Sequence, residues 1–434
     1  MLNSHPNGSQ ITSILSAAIE AVEPGRAVRH FVTRERDSLE IAGEHLDLRE
    51  FEHVYLLAFG KAAMPMSFTL AEILKKNLTQ GWVVPKYAEE MSYPGLTITP
   101  GSHPLPDKKS LQAGELLLNV AASFNEKDLV FCLISGGGSS LVTAPYPGIS
   151  LEDLRELTRQ LLSCGARIDE INTLRRHLDR IKGGGLARQI APAKLISLIL
   201  SDVVNSPLET IASGATAPDP STLEDVWRIL EKYELPDKVP LSILNYLRNG
   251  QETPKPGDPI FNQVANILIG SNEIAARAAA EKAKSFGFTP IDLGNAWQGE
   301  ARQVAQILVE KLAATNQKPV CLIAGGETTV TLVGNGKGGR NQELALAAVP
   351  LLAGLPNVMM VTLATDGEDG PTDAAGAVVT GETASRAKKL GLEPADYLRN
   401  NDSYHFFDKL GDALKPGPTG TNVNDLTFLF RFSG

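Results

Sequence analysis

The stretch Leu129-Val-Phe-Cys-Leu-Ile134, followed directly by Ser135-Gly-Gly-Gly-Ser-Ser140, predicts a buried strand and the turn that ends it. Six apolar residues in a row are typical of a strand covered on both faces of a parallel sheet. Similar short runs alternate with segments of helical periodicity along the chain. The other strand candidates are residues 54–59, 82–84, 195–200, 320–324 and 358–363. This alternation predicts an α/β fold with helices on both faces of a parallel sheet.

Two α/β domains are predicted. The first, residues 1–250, is a Rossmann-like, doubly wound parallel sheet, and the second, residues 251–434, is a mixed α/β domain. Residues 236–259, rich in proline, glycine and charge, are predicted to link them. The helix candidates are residues 151–163, 170–181, 273–285, 299–314 and 341–352.

Composition excludes several classes of partner. The chain has 434 residues, a formal net charge of -9 and three cysteines. Net negative charge disfavours nucleic acid, because phosphate backbones bind net positive surfaces. Cys132 and Cys321 lie in apolar runs, where a thiol packs as a small hydrophobic group, so neither a disulfide nor a zinc site is expected. With no signal-peptide pattern and no stretch long enough to span a bilayer, we expect no membrane partner and a cytoplasmic protein.

A second glycine-rich stretch, residues 325–341, reads Gly-Gly-Glu-Thr-Thr-Val-Thr-Leu-Val-Gly-Asn-Gly-Lys-Gly-Gly-Arg-Asn. Glycines let backbone N–H groups approach phosphate oxygens closely, and the start of the following helix adds the positive end of its dipole. Arg340 supplies a fork that matches a phosphate or a carboxylate. Together with residues 135–140, this stretch predicts a phosphorylated ligand.

Part of the same stretch also fits a different class of protein. Gly334, Gly336 and Gly339 satisfy the G-x-G-x-x-G pattern of dinucleotide sites, so an oxidoreductase is the alternative. The residues before the pattern hold three threonines rather than a buried strand, and no acidic residue follows on a second strand about 20 residues later. A Walker loop is excluded because Lys61 is followed by Ala62.

Several ordered motifs resemble those of the glycerate 2-kinase family with the MOFRL C-terminal domain, some of whose members are labelled putative hydroxypyruvate reductase. The motifs include Ala-Phe-Gly-Lys-Ala at 58–62, His-Pro-Leu-Pro-Asp at 103–107, and the segments 134–140, 175–187, 325–330, 334–343, 365–376 and 418–425. Two positions depart from the family pattern: Asn205-Ser206 replaces a usual Gly-Asp, and Ala215 a usual proline.

The resemblance implies transfer of the ATP γ-phosphoryl group to the 2-hydroxyl of D-glycerate, giving 2-phosphoglycerate and ADP. An NAD(P)H-dependent hydroxypyruvate reductase is the alternative. The implied cofactors are ATP and Mg²⁺, the ligand is D-glycerate or a related sugar acid, and a homodimer is the candidate assembly. Such transfer depends on positioning and on cationic stabilisation of the phosphoryl oxygens.

Three residues are predicted to be catalytic. Lys61, at a strand end beside Gly60, is the candidate cation for the transferring phosphoryl group. Arg340 is its companion, able to hold a phosphate or carboxylate with two hydrogen bonds. Asp366 follows the strand candidate 358–363, where a Mg²⁺ ligand or a base near the substrate hydroxyl is needed. Asp202, after the strand candidate 195–200, is the second metal candidate.

The remaining candidates surround the ligands. Because Lys61 and Arg340 come from different domains, the site is expected in a cleft between them. Lys182 and the glycines after it are expected to border the phosphate site, because backbone N–H groups at a helix exit are free; the alternative is a basic helix with a glycine stop. The nucleotide-binding candidates are Ser135, Gly136, Gly137, Gly138, Ser139, Ser140, Lys182, Gly183 and Gly184, and the substrate-binding candidates are Glu327, Asn341 and Asp373.

Overall fold

The computed structural model describes residues 2, 5–87 and 92–433. Met1 and Gly434, the ends of the predicted domains, lie outside the described residues. The helices are α1 (Gly8–Ala21), α2 (Pro24–Phe31), α3 (Ala63–Leu74), α4 (Lys108–Ala121), α5 (Gly138–Leu141), α6 (Leu151–Ser163), α7 (Ile168–His177), α8 (Gly185–Ile190), α9 (Leu223–Lys232), α10 (Leu241–Asn249), α11 (Asn272–Ser285), α12 (Ala301–Ala314), α13 (Arg340–Leu352), α14 (Thr383–Lys389), α15 (Pro394–Arg399) and α16 (Ser403–Leu410). In the part of the chain that the structure describes, none of these helices has the length and apolar character to span a membrane.

The strands alternate with these helices through most of the chain. They are β1 (Val32–Glu35), β2 (Ser38–Ile41), β3 (Glu44–Asp47), β4 (His53–Phe59), β5 (Leu78–Val84), β6 (Leu96–Ile98), β7 (Asp128–Ile134), β8 (Lys194–Leu200), β9 (Val264–Gly270), β10 (Thr289–Asp292), β11 (Trp297–Glu300), β12 (Val320–Thr329), β13 (Val358–Ala364), β14 (Gly376–Thr380), β15 (Ala413–Leu414) and β16 (Asp425–Arg431). All six predicted strands are confirmed. Of the predicted helices, 170–181 ends earlier, at His177, and Gly299 belongs to β11 instead of α12.

Packing divides the chain into two compact units. The N-terminal unit comprises residues 27–201 and 206–269, and the C-terminal unit comprises residues 1–26, 202–205 and 270–434. The units therefore do not follow the predicted bounds 1–250 and 251–434. The helix α1 packs against α11 of the C-terminal unit because its apolar face, which includes Ile11 and Ile14, is buried there.

The N-terminal unit is built on a six-stranded sheet with the order β6-β5-β4-β7-β8-β9. Strands β4 to β8 run parallel to their neighbours. Every residue of β7 is buried, as the unbroken apolar run predicts for a strand covered on both faces. From β4 the chain winds to one side and from β7 to the other, which is the order of a doubly wound sheet. The predicted Rossmann-like architecture is confirmed.

The predicted linker 236–259 is wrong. Residues 241–249 form α10, whose side chains Ile243, Leu244 and Leu247 are buried in a hydrophobic cluster with residues of α6, α7 and α9. Their spacing of one, three and four residues places them on one helical face, and burying that face holds α10 in the N-terminal unit. The prolines of this segment lie before and after α10, and they do not indicate a flexible connection.

The C-terminal unit contains a mixed seven-stranded sheet with the order β10-β12-β16-β13-β14-β15, in which β11 also pairs with β12. The last strand, β16, lies antiparallel between β12 and β13. Its first residue, Asp425, pairs in register with Gly326 of β12 and Ala364 of β13. This register brings the start of β16 to the sheet edge where β12 and β13 end, and so gathers polar residues from three strands. The mixed α/β domain is confirmed.

Candidate functional site

In the N-terminal unit, the turns after β4 and β7 lie next to each other. These two strands are neighbours in the sheet, and the chain winds away from them in opposite directions. In sheets of this type, ligands bind beyond the carboxyl ends of the strands at the point where the winding reverses. Gly60 and Lys61 follow β4, and Ser135 follows β7. The expected ligand position therefore lies at the two turns that carry Lys61 and Ser135, both predicted site residues.

Hydrogen bonds join the two turns closely. The Lys61 N–H donates to the carbonyl of Gly136 at 2.9 Å, and the Ala62 N–H donates to Ser135 Oγ at 3.0 Å. Gly60 has a φ of 131°, and a Cβ at this position would lie 2.1 Å from Ser135 Oγ. Only glycine fits there, because a larger residue would separate the turns. Lys61 itself is exposed, on a backbone that is held in place.

The serine-glycine loop 135–140 lies against both Lys61 and His103. A Cβ at Gly137 would lie 2.9 Å from His103 Cδ2 and 3.4 Å from Lys61 Cγ. Burial, together with the positive charges of Lys61 and Lys86, lowers the pKa of His103. The Ser139 hydroxyl shares a hydrogen bond of 2.8 Å with that of Ser213. The structure thus brings the loop and Lys61 together, as predicted from sequence.

Lys182, Gly183 and Gly184 are arranged differently from the prediction. The N–H groups of Gly183 and Gly184 donate to the carbonyls of Ser213 and Gly214, so they are not free for a phosphate. The buried Lys182 ammonium donates to Asp179 Oδ2 at 2.6 Å and to Thr143 Oγ1 at 2.9 Å. Burial lowers the pKa of Lys182, and the charge of Asp179 opposes this shift. The reason given for these three candidates is wrong, and the pair 179–182 has the contacts of a structural ion pair.

Replacing Lys182 by methionine tests this interpretation. The change leaves the buried Asp179 carboxylate without its counter-charge, so we expect the free energy of unfolding to fall by about 3 kcal/mol. Urea unfolding measures the loss, and Asp179→Asn added to Lys182→Met is expected to restore part of it. An unchanged urea midpoint combined with weaker nucleotide binding would instead identify Lys182 as a nucleotide ligand.

In the C-terminal unit, Arg340 is the first residue of α13 and binds two carboxylates. Its Nε donates to Asp425 Oδ2 at 2.5 Å and its Nη1 donates to Glu327 Oε1 at 2.8 Å. Burial lowers the pKa of Arg340, but the hydrogen bond and charge of Asp425 and the charge of Glu327 outweigh it and raise the net value. The three residues come from the end of β12, the start of β16 and the start of α13. Of this group, Arg340 and Glu327 were predicted as site residues and Asp425 was not.

A cavity of about 590 Å³ lies beside Arg340. Its lining includes Glu327, Asp369 and Glu343. The Asp369 carboxylate accepts the backbone N–H groups of Asn341 and Gln342 at the start of α13, at 3.2 and 2.8 Å. A carboxylate in this position is stabilised by the free N–H groups of the first helical turn. Asn341, a predicted substrate ligand, is thus buried and bound to Asp369.

Burial raises the pKa of Asp425 to about 6, although Arg340 opposes the shift. A carboxyl group whose pKa is higher in the folded than in the unfolded chain stabilises the fold below the unfolded value and loses this contribution as pH rises through the folded value. We therefore expect Asp425→Asn to remove a pH-dependent fall in unfolding free energy of about 2–3 kcal/mol between about pH 4 and about pH 6. Urea unfolding of the parent and the variant across this range measures the difference. Parallel profiles for the two proteins would show that Asp425 titrates normally.

The glycine-rich loop before Arg340 is docked on another segment. The N–H groups of Val333 and Gly334 donate to Asn401 Oδ1, and that of Lys337 donates to Asp402 Oδ1. A Cβ at Gly336 would lie 2.5 Å from the carbonyl oxygen of Asn400. These N–H groups are used within the protein and are not available to a phosphate, while phosphate binding by the rest of the stretch 325–341 stays a prediction. The glycines instead allow the close approach of residues 400–402.

The carboxylate candidates are spread over the C-terminal unit. Asp366 is half-buried after β13 and accepts the N–H of Glu368 and the side chain of Asn422. Asp373 is exposed outside the cavity beside Arg340, where it accepts the Tyr404 hydroxyl at 2.7 Å. Asp202 is half-buried and belongs to the same unit. Among the described residues, no group of three or more His, Cys, Asp and Glu side chains could hold a metal ion. The metal roles of Asp202 and Asp366 stay predictions.

The N-terminal and the C-terminal parts of the chain each match a known protein family. Residues 10–248 match a family described as Domain of unknown function (DUF4147), and residues 320–425 match the MOFRL family. A protein of Thermotoga maritima named D-glycerate 2-kinase is 42% identical over 95% of each chain. A glycerate 2-kinase of Pyrococcus horikoshii is 40% identical over 95% of this chain and 94% of its own length.

Two solved structures extend the likeness to three dimensions. The crystal structure of a glycerate kinase from Thermotoga maritima has a TM-score of 0.88 at 39% identity and covers 98% of this chain and 99% of its own. That of a protein from Pyrococcus horikoshii OT3 has a TM-score of 0.89 at 39% identity and covers 98% of each chain. The family resemblance found in the sequence motifs is confirmed. This chain belongs to the glycerate 2-kinase family in which a DUF4147 domain is followed by a MOFRL domain.

Proposed function

We propose that this chain transfers the γ-phosphoryl group of ATP to the 2-hydroxyl of D-glycerate, giving 2-phosphoglycerate and ADP. The observation that carries the proposal is the full-length identity of 42% to a protein named D-glycerate 2-kinase. The exposed Lys61 at the reversal point of a doubly wound sheet adds independent support, because this is where such sheets bind ligands.

In the proposed reaction, the two cations stabilise charge on the transferring group. The oxygen at C2 of glycerate forms a bond to the γ-phosphorus, and the bond from that phosphorus to the β–γ bridging oxygen breaks, leaving ADP. Lys61 and Arg340 each supply a positive charge for phosphoryl oxygens, over which charge spreads during transfer. Arg340 then exchanges the half-buried Glu327 carboxylate for the ligand while Asp425 holds its Nε.

Asp366 takes the proton of the substrate hydroxyl in this proposal. Its carboxylate is half-buried, and its two oxygens accept long hydrogen bonds, of 3.2 Å from the Glu368 N–H and 3.4 Å from Asn422. Such weakly bonded oxygens are available for a proton or a metal ion. Glu327, Asn341 and Asp373 complete the proposed substrate contacts.

The residues present fit Mg²⁺ that arrives with the nucleotide. This ion is usually held by one or two carboxylates together with substrate phosphates and water. Asp202 and Asp366 are two half-buried carboxylates, a number that suits that mode and not a complete protein cage. When bound, Mg²⁺ neutralises phosphate charge. The nucleotide phosphates are proposed to contact the loop 135–140.

The reductase alternative has less support. The relatives named above are kinases by name. In the G-x-G-x-x-G pattern, Gly334 and Gly336 pack against residues 400–402, and Gly339 packs against Asp369. A single pair of assays tests the choice. We expect ADP formation that depends on D-glycerate and MgATP, detected with a coupling system, and no oxidation of NADH or NADPH with hydroxypyruvate. Hydroxypyruvate reduction without glycerate-dependent ADP formation would reverse the assignment.

Two finer assignments belong to the proposal. A cytoplasmic location is supported by three cysteines that are all free thiols, as expected in a reducing compartment. A homodimer is the proposed assembly, and light scattering of the purified protein tests it.

A further inference from the structure

A cavity of about 470 Å³ opens beside the loop 137–140 in the N-terminal unit. Its walls are formed by α6, α7 and the segment 103–106, which carries His103. This volume lies within the range of about 300–1,000 Å³ found for sites that hold small organic ligands. Gly137, which lies next to Lys61, is part of the lining, so the cavity is continuous with the loop described above.

The part of the cavity lining that α6 and α7 form contains many apolar side chains. The lining includes Leu154, Leu157 and Leu161 of α6 together with Leu174 and Leu178. Thr158 is half-buried, and its hydroxyl donates to the carbonyl of Leu154 within its own helix. An apolar wall with its polar groups already bonded suits the faces of a planar ring and offers little to a small polar acid such as glycerate.

One charged group in the lining is unpaired. The Arg175 guanidinium is half-buried and has no hydrogen-bond or ion-pair partner among the residues that the structure describes. Lys182, which also lines the cavity, is neutralised by Asp179 at 2.6 Å. Four cationic side chains and one carboxylate line the space, so its net charge is positive. A partly buried guanidinium without a counter-ion favours an anionic ligand.

We propose that this cavity is the nucleotide subsite, with the base against the leucines of α6 and α7 and a phosphate oxygen bound to Arg175. The inference rests on the proposed kinase function and deepens it by naming the residues that recognise the nucleotide. A nucleoside triphosphate combines the planar ring and the anion that the lining requires. Its phosphate chain then extends along the loop 137–140 towards Lys61.

Calorimetric titration with ADP and with pyrophosphate separates the two halves of the subsite. Arg175→Ala is expected to weaken binding of both probes by about tenfold to 100-fold, because a charge-assisted hydrogen bond is lost. Thr158→Trp fills the apolar part of the cavity and is expected to weaken the binding of ADP by at least tenfold. The same variant should bind pyrophosphate as the parent does. Arg228→Ala, which removes an exposed arginine on α9 outside the cavity, is the matched control and should bind both probes normally.

The outcomes separate this inference from the kinase assignment. Unchanged ADP binding by both Arg175→Ala and Thr158→Trp overturns the subsite. If Thr158→Trp does not fold, Leu162→Trp at the exposed rim of the cavity replaces it under the same criterion. Glycerate-dependent turnover of the parent is measured in parallel. If the parent turns over glycerate and the variants bind ADP normally, the subsite alone is rejected. If the variants show the expected binding pattern and the parent shows no turnover, the kinase function alone is rejected.

Discussion

Replacing Lys61 by methionine is expected to lower kcat by about 10³-fold while the protein stays folded. The lysine side chain is exposed, so its loss removes little buried surface. The backbone of the turn keeps its hydrogen bonds from Lys61 N–H to Gly136 and from Ala62 N–H to Ser135, because neither uses the side chain. The effect should therefore fall on the transferring phosphoryl group and not on the fold. Steady-state kinetics with D-glycerate and MgATP measure it.

The exposed Lys76 provides the control. Lys76→Met removes the same charge from the same unit, and we expect parental kinetics from it. The thermal midpoints of both variants should lie close to that of the parent, because surface substitutions rarely change stability by more than about 0.5 kcal/mol. Turnover by Lys61→Met within about tenfold of the parent would remove Lys61 from the mechanism.

Arg340→Ala is expected to lower kcat/KM by about 10²–10³-fold, and Arg340→Lys by roughly tenfold less. Lysine keeps the charge but cannot bind Asp425 and Glu327 with the separate nitrogens that Arg340 uses at 2.5 and 2.8 Å. The alanine variant also leaves the buried Asp425 without its counter-charge, which costs stability. Kinetics and urea unfolding measured on the same samples separate the two effects.

A double variant distinguishes catalysis from stability at this position. Adding Asp425→Asn to Arg340→Ala removes the unpaired carboxylate, so we expect part of the stability to return while activity stays low. Arg399→Ala, which removes an exposed arginine from the same unit, is the charge-matched control. If Arg340→Ala and Arg340→Lys both equal the parent in kcat/KM, Arg340 only ties β12 to β16.

The pattern of apolar residues in short segments predicted the elements of the fold that are buried. The apolar run of β7 and its glycine turn identified the centre of the first sheet, because a strand buried on both faces must be apolar throughout. The approach of Gly60 to Ser135 depends on which strands are neighbours, which no single segment encodes. The structure supplies that order, with β4 beside β7.

The errors have different causes, one local and one tertiary. The segment 236–259 was predicted as a linker from its prolines, although Ile243, Leu244 and Leu247 already had helical spacing. The loop 334–339 was predicted to bind phosphate, but residues 400–402, more than sixty positions later, accept its N–H groups. Tertiary hydrogen bonding of this kind leaves no local signal. The ion pair of Lys182 with Asp179 lies beyond the end of α7 at His177, so helical spacing does not account for it.

The identity of the phosphorylated product tests the central claim most directly. Incubation of the purified protein with D-glycerate and MgATP, followed by phosphorus NMR, resolves esters at the two hydroxyls and free phosphate. The proposed function predicts 2-phosphoglycerate and ADP in equal amounts, with this signal lost in Lys61→Met and Arg340→Ala and kept in Lys76→Met. A phosphate ester at the 3-hydroxyl, or free phosphate without any glycerate ester, would contradict the account.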